Sequence, residues 1–153
     1  GRRRLNLDRT RVRGVSFSAD WKIAPSLTVN GQYLYDDARV ARSAVAPHLE
    51  GMRLAQVPRH AGTVGLTWRL GRWSLVPRVR WFGAQFEDDQ NTLRLAAATI
   101  VDMSASIALS KNAELFVSAE NLLDERVETG RAATGLVNIG TPRLLLVGAR
   151  LMR

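Results

Sequence analysis

The densest group of side chains that could take part in chemistry is an oxygen-rich pentapeptide, Glu87-Asp88-Asp89-Gln90-Asn91. Carboxylate and amide oxygens are the ligands of Ca²⁺, which takes about six to eight of them. The spacing differs from that of an EF-hand loop. We therefore interpret the segment as a solvated loop tip rather than a metal site.

The remaining candidates for catalysis do not combine into a site. His48 and His60 have no partners at the spacing of a metal site, and the chain has no cysteine. No nucleophile with a base and no glycine-rich phosphate loop is evident. We expect no catalytic residues, no metal, no cofactor and no enzyme activity.

Positive charge is concentrated in arginine. The chain has 153 residues and a formal net charge of +8, and all its cations are Arg except Lys22 and Lys111. An Arg-rich start, Arg2 to Arg13, suggests nucleic-acid binding, but no aromatic stacking platform accompanies it. We instead expect this run to lie in a loop before the first strand, where it would meet an anionic partner.

The elements that must position these residues are strands, because apolar and polar residues alternate with period two along the chain. The longest uncharged run, Ile23–Tyr35, is shorter than the roughly 20 residues of a spanning helix. The pattern predicts an all-β antiparallel meander of seven strands, near residues 15–22, 27–36, 63–70, 72–81, 101–109, 115–120 and 145–152.

The connections between these strands alternate between short turns and long segments, the latter near residues 37–56, 83–99 and 123–139. Short periplasmic turns and long extracellular loops are typical of a transmembrane β-barrel. Aromatic residues on the apolar faces lie close to the strand ends, as expected for two membrane-interface girdles; they are Trp21, Tyr33, Tyr35, Trp68, Trp73 and Trp81. A soluble sandwich with a core of aromatics is the alternative.

The opposite face is polar and carries the charges of the strands, as required of a barrel interior. We expect a ladder of ion pairs on this face, whose simplest role is to balance buried charges. Contact with a ligand or a plug is the other interpretation. The ladder residues are Arg78, Arg80, Asp102, Glu120 and Arg150.

Motifs in the second half resemble the closing strands of TonB-dependent outer-membrane receptors. They include Val57-Pro58-Arg59-His60, the segment Glu120-Asn121-Leu122-Leu123-Asp124, and the closing run from Gly140-Thr141-Pro142-Arg143 to Leu151. Asn and Asp also form turns, and Pro suits the start of a strand. The chain ends Leu151-Met152-Arg153, where the family usually ends on an aromatic residue.

The resemblance implies that residues 1–153 are the C-terminal part of a 22-stranded barrel in the outer membrane of a Gram-negative bacterium. The receptor would import a scarce ligand, such as an iron–siderophore complex or cobalamin, through a plug and the TonB protein, both outside this chain. Its partners would be outer-membrane lipid, lipopolysaccharide and the cargo, but not nucleic acid. Candidate cargo contacts are the loop residues Arg42, Asp88 and Asp89.

Two other functions stay open on the residues alone. One is a small stand-alone outer-membrane barrel with a structural or adhesive role, which needs an even number of strands and a closed sheet. The other is a soluble basic β-domain that binds nucleic acid.

Overall fold

The computed structural model describes residues 8–151, so Arg2, Arg3 and Arg4 of the basic start and the terminal Met152 and Arg153 lie outside the described residues. Seven strands form one antiparallel sheet. They are β1 Arg9–Ala24, β2 Leu27–Arg42, β3 His60–Leu70, β4 Trp73–Phe82, β7 Ala98–Ser110, β8 Ala113–Glu120 and β11 Leu144–Leu151. Their order in the sheet is their order in the chain, which confirms the predicted meander.

The first two strands are longer than predicted, with 16 residues each. The prediction that residues 37–42 begin a loop, and that the basic run through Arg13 lies in one, was wrong for the residues described. The β1–β2 ladder continues past Val15 and Tyr35 up to Arg9 and Arg42. Beyond Tyr35 the apolar residues Ala38 and Val40 lie on the other side of the strand, where they are buried, and this change of side ended the predicted pattern.

The long connections contain short elements that the periodicity did not reveal. Two hairpins lie there, β5 Gln85–Phe86 with β6 Arg94–Leu95 and β9 Glu128–Arg131 with β10 Val137–Ile139. A 3-10 turn covers Pro47–Leu49. Strands of two to four residues are too short to show a period.

The most buried side chains lie where these connections fold together, not under the sheet. Leu95, Val40 and Ser43 are nearly inaccessible. Large apolar side chains of the main sheet are exposed instead, including Phe17 at 64% and Trp73 at 54%. Within residues 8–151, no helix is both long and apolar enough to span a membrane.

Candidate functional site

Three long connections meet at one end of the sheet, and we call them L1 (residues 43–59), L2 (83–97) and L3 (121–143). The tip of L2 holds the oxygen-rich pentapeptide. The Asp88 carboxylate accepts the backbone N–H groups of Thr92 at 3.0 Å and Leu93 at 2.7 Å, and the Thr92 hydroxyl at 2.7 Å. Burial raises the pKa of Asp88, but these hydrogen bonds outweigh it and leave the pKa below its ordinary value.

The predicted cargo contacts therefore differ in what they offer. Both oxygens of Asp88 are engaged in the turn, whereas Asp89 is exposed. Arg42 is exposed too, but as the last residue of β2 rather than within a loop. No group of three or more His, Cys, Asp or Glu side chains that could hold a metal exists among the described residues.

L1 and L2 are joined by an amide clamp. Asn91 accepts the backbone N–H of Arg53 through Oδ1 at 2.9 Å and donates from Nδ2 to the Arg53 carbonyl at 2.8 Å. The Arg53 guanidinium lies 5.4 Å from the centre of the Phe86 ring, within cation–π range. The Gln56 N–H donates to the Phe86 carbonyl at 2.7 Å. The pentapeptide thus fixes one connection against another.

L2 and L3 meet at the carboxylate of Glu128. Glu128 accepts the Ala96 N–H at 3.0 Å and the Arg131 guanidinium at 2.9 Å. The Ala96 N–H is the main cause of a lowered pKa of Glu128, followed by Arg131. Between the two connections lies a cleft of about 600 Å³ whose lining includes Arg94, Glu128 and Arg131. These two arginines were not predicted, because only folding brings them together.

The two ends of L3 are tied together by Asn121, which is only 5% exposed. Its Nδ2 donates to the carbonyls of Glu125 at 2.9 Å and Thr141 at 3.3 Å, while its Oδ1 accepts the Glu125 N–H at 2.8 Å. Asp124 accepts the N–H of Arg143 at 2.9 Å. The motif from Glu120 to Asp124 forms a turn at the end of β8, as its residue types suggest.

The five predicted ladder residues do not form one continuous ladder. Arg80 donates to both oxygens of Asp102, at 2.7 and 3.0 Å. Arg150 instead lies 3.7 Å from Glu114. The β7–β8 register pairs Glu114 with Ala108, six residues or about 20 Å along β7 from Asp102.

The other two members of the predicted ladder stay apart from these pairs. Arg78 lies opposite Asp102 in the register, and Glu120 ends β8. Within the described part of the chain, neither has an ion-pair partner within 4.0 Å.

The six predicted interface aromatics share the other face of the sheet and lie at two levels. Toward the connections, Tyr33 lies opposite Gly62, and Gly62 lies opposite Trp81, whose ring covers the glycine. The Tyr33 hydroxyl is 2.8 Å from His60 Nδ1, and the ring centre of His60 lies 5.3 Å from that of Tyr35. Trp21, Trp68 and Trp73 lie near the short turns.

A concave cleft of about 610 Å³ has a lining that includes Gln32, Leu34, Thr63 and Arg80. By strand alternation these four side chains lie on the face opposite the aromatic residues. Leu34 interrupts the polar pattern of its strand and lies in this cleft.

Residues 2–122 match the sequence model of a family described as TonB dependent receptor-like, beta-barrel. The fold is also similar to solved structures. The siderophore receptor PiuA from Acinetobacter baumannii aligns with a TM-score of 0.83 and 18% identity, over 93% of this chain and 22% of that one.

Two further structures show the same fold. The ferric yersiniabactin uptake receptor FyuA from Yersinia pestis has a TM-score of 0.80 and 20% identity, with 93% of this chain and 23% of that one covered. The closed form of the ferric-catecholate import receptor Fiu from E. coli K12 has a TM-score of 0.78 and 21% identity, with 93% of this chain and 21% of that one covered. The chain thus spans about a fifth of the length of these proteins.

Proposed function

This chain belongs to the TonB-dependent receptor-like β-barrel family, and from that premise we propose that it forms the C-terminal wall of an outer-membrane receptor that imports a ferric siderophore. The solved structures of similar fold are, by their descriptions, a siderophore receptor, a ferric yersiniabactin uptake receptor and a ferric-catecholate import receptor. They favour an iron complex over cobalamin as cargo.

The observation that carries the proposal is the two-faced sheet. One face exposes large apolar side chains between two levels of aromatic residues, and Trp73 and Trp81 are eight residues apart on one strand. That separation is about 27 Å along the strand, or about 21 Å across a membrane at the usual tilt of roughly 40°. Outer-membrane barrels have an apolar band about 25 Å high.

The two outer strands support incorporation into a larger barrel. Among the described strands, β1 pairs only with β2 and β11 only with β8. Each unpaired backbone group in lipid costs several kcal/mol, so the sheet needs a neighbour on both sides. We propose that the rest of a 22-stranded barrel supplies these neighbours. The open edges argue against a stand-alone seven-stranded barrel.

The opposite face would line the interior. The Arg80–Asp102 pair and the cleft beside it would then contact the plug, through which TonB drives import. Arg42 and Asp89, whose side chains are exposed, are the predicted residues best placed to touch cargo. Asp88 would act indirectly, because its carboxylate shapes the L2 turn.

The proposal is tested with the full-length receptor in its host. Deleting the gene should abolish uptake of radiolabelled iron supplied as at least one siderophore of a chemically diverse panel, in iron-limited medium. The same strain supplied with labelled cobalamin is the cargo control. Loss of cobalamin uptake with unchanged iron uptake would show that the cargo is cobalamin and not a ferric siderophore. Recovery of the receptor in a detergent-free soluble fraction would exclude a membrane receptor.

A further inference from the structure

The β1–β2 ladder carries a group of arginines past the aromatic residues, on the same face. Arg13 lies opposite Asp37, and Arg11 lies opposite Arg39. Both pairs continue the odd-numbered side of β1 that bears the exposed Phe17 and Val15. Like charges directly opposite one another destabilise a sheet unless an anion separates them.

Within the described part of the chain, one acid belongs to this group, and its oxygens are already engaged. Asp37 Oδ1 accepts Arg39 Nε at 3.0 Å and Arg59 at 3.1 Å, and Oδ2 also lies 3.0 Å from Arg39 Nε. Asp36, next along the strand, belongs to the opposite face. Within residues 8–151, no carboxylate lies within 4.0 Å of the guanidinium of Arg11 or Arg13.

L1 adds a further cation beside the group. Arg53 forms a β-bridge with Arg39, so the two residues are neighbours across the end of the sheet. Burial, and then the positive charges of Arg59 and Arg39, lower the pKa of Arg53. Five arginines therefore gather around one aspartate; we call Arg11, Arg13, Arg39, Arg53 and Arg59 the arginine patch.

The height of the arginine patch matches the headgroup layer. Asp37 and Arg39 lie two and four residues beyond Tyr35, which is about 7 and 14 Å along the strand. At a tilt of roughly 40° these become about 5 and 10 Å above an interfacial tyrosine. The headgroup layer is about 5–8 Å thick on each side of the hydrocarbon core.

We propose that the arginine patch binds the phosphate groups of a phosphorylated lipid in the outer leaflet. Guanidinium groups suit this role because they hold phosphate through two parallel hydrogen bonds. A lipid is favoured over a soluble anion or nucleic acid, because the arginine patch is continuous with the exposed apolar face below it, where acyl chains would lie. The inference rests on the proposed placement in the outer membrane.

The test uses the full-length receptor in non-ionic detergent, titrated with bisphosphorylated lipid A by native mass spectrometry. Replacing Arg11 and Arg13 by Gln should weaken lipid binding at least tenfold, since an arginine near an anionic surface contributes about fivefold. Arg69→Gln with Arg72→Gln is the matched control. Both of these arginines are exposed at the short-turn end, and their replacement should leave binding unchanged.

Two further arms separate the sources of phosphate. Lipid A without phosphates should bind the wild type as weakly as the intact lipid binds the Arg11/Arg13 variant, and inorganic phosphate should not compete. Equal loss in both double variants, no loss in either, or displacement by inorganic phosphate would overturn the lipid site.

A heat-dependent shift of the folded receptor in electrophoresis is measured for every variant. A wild type without that shift after incubation with lipid vesicles would overturn the barrel proposal and this inference together. A wild type that shows the shift but binds lipid A independently of the arginine patch would overturn this inference alone.

Discussion

The connections at both ends of the sheet must provide hydrogen-bond partners for their backbone groups, and the two ends do so in different ways. At the short-turn end, three strand pairs are joined by two residues each, Pro25-Ser26, Gly71-Arg72 and Lys111-Asn112. At the other end, L1, L2 and L3 contain 17, 15 and 23 residues. Turns of two residues return the chain to the ladder at once. Long connections must satisfy their backbone groups by other means.

Polar side chains do this at the long-loop end. Asn121 serves three backbone groups through its amide, and Asn91 makes two hydrogen bonds to the backbone of one residue in L1. The backbone groups bonded by Asn121 and Asn91 therefore depend on one particular side chain each, whereas a short turn depends mainly on backbone geometry. Substitutions should accordingly be more costly at the long-loop end.

The largest effect is expected for Asn121→Ala. The variant loses three hydrogen bonds of a buried amide, at about 1 kcal/mol each. It also places alanine at a φ of 50°, where a β-carbon is unfavourable by about 1 kcal/mol. We expect the full-length receptor in detergent to lose about 3–4 kcal/mol, measured as a lower urea midpoint of the folded electrophoretic form.

Asn121→Gly is the matched control, because glycine loses the same hydrogen bonds but accepts the left-handed backbone. It should be about 1 kcal/mol more stable than the alanine variant. Wild-type stability in both variants would show that the buried amide does not hold L3, and the contrast between the two ends would fail there.

The second-largest loss of stability is expected on the face of the sheet that carries the aromatic residues. A methyl group on Gly62 would overlap the ring of Trp81, whereas one on Gly31 would meet no atom within 4 Å. Gly62→Ala should therefore destabilise by about 1–3 kcal/mol through overpacking, and Gly31→Ala should have a much smaller effect. The contribution of Trp81 to the tryptophan fluorescence is obtained by comparing emission spectra with and without Trp81→Phe. Equal spectral changes in both alanine variants would mean that Trp81 does not pack on Gly62.

The sequence was most informative where side-chain alternation controls structure. The seven strands, their order and the shared face of the aromatic residues followed from period two, because each of these strands presents its two sides to different surroundings. The same rule did not extend to Arg9–Arg13 or residues 37–42, because the apolar residues there, among them Val12, Ala38 and Val40, lie on the opposite side of the strands from Val15 and Tyr35. Backbone pairing extended β1 and β2 regardless.

The long connections were least accessible to prediction for a related reason. Asn and Asp signal that the backbone turns, but not which backbone group each will bond. Asp88 was predicted as a cargo contact from its place in a loop, and its bonds to Thr92 and Leu93 could not be predicted. The Asn91–Arg53 clamp joins residues 38 positions apart, and no local pattern specifies such a partner.

At the short-turn end, a smaller effect is expected for Gly71→Ala. Gly71 has a φ of 58°, and a β-carbon there would meet no atom within 4 Å. The substitution therefore strains the backbone without causing any steric overlap. The cost should be about 1 kcal/mol in the same urea assay. Gly71→Asn should restore most of it, because asparagine tolerates this conformation. A loss as large as that of Asn121→Ala would abolish the proposed difference between the two ends.

The smallest effect is a local acid sensitivity of L2. The folded form lowers the pKa of Asp88, so its stabilisation of the turn is present above the ordinary value of 3.8 and is lost as the pH falls through the lowered value. A spin label at Gln90→Cys should become more mobile in that range. In Asp88→Asn, mobility should not depend on pH, while Asp89→Asn should behave as wild type, because Asp89 is exposed. Retained acid sensitivity in Asp88→Asn would assign the change to another carboxylate. Glu87 would then be replaced next, because it accepts a hydrogen bond from Gln56 at 3.2 Å.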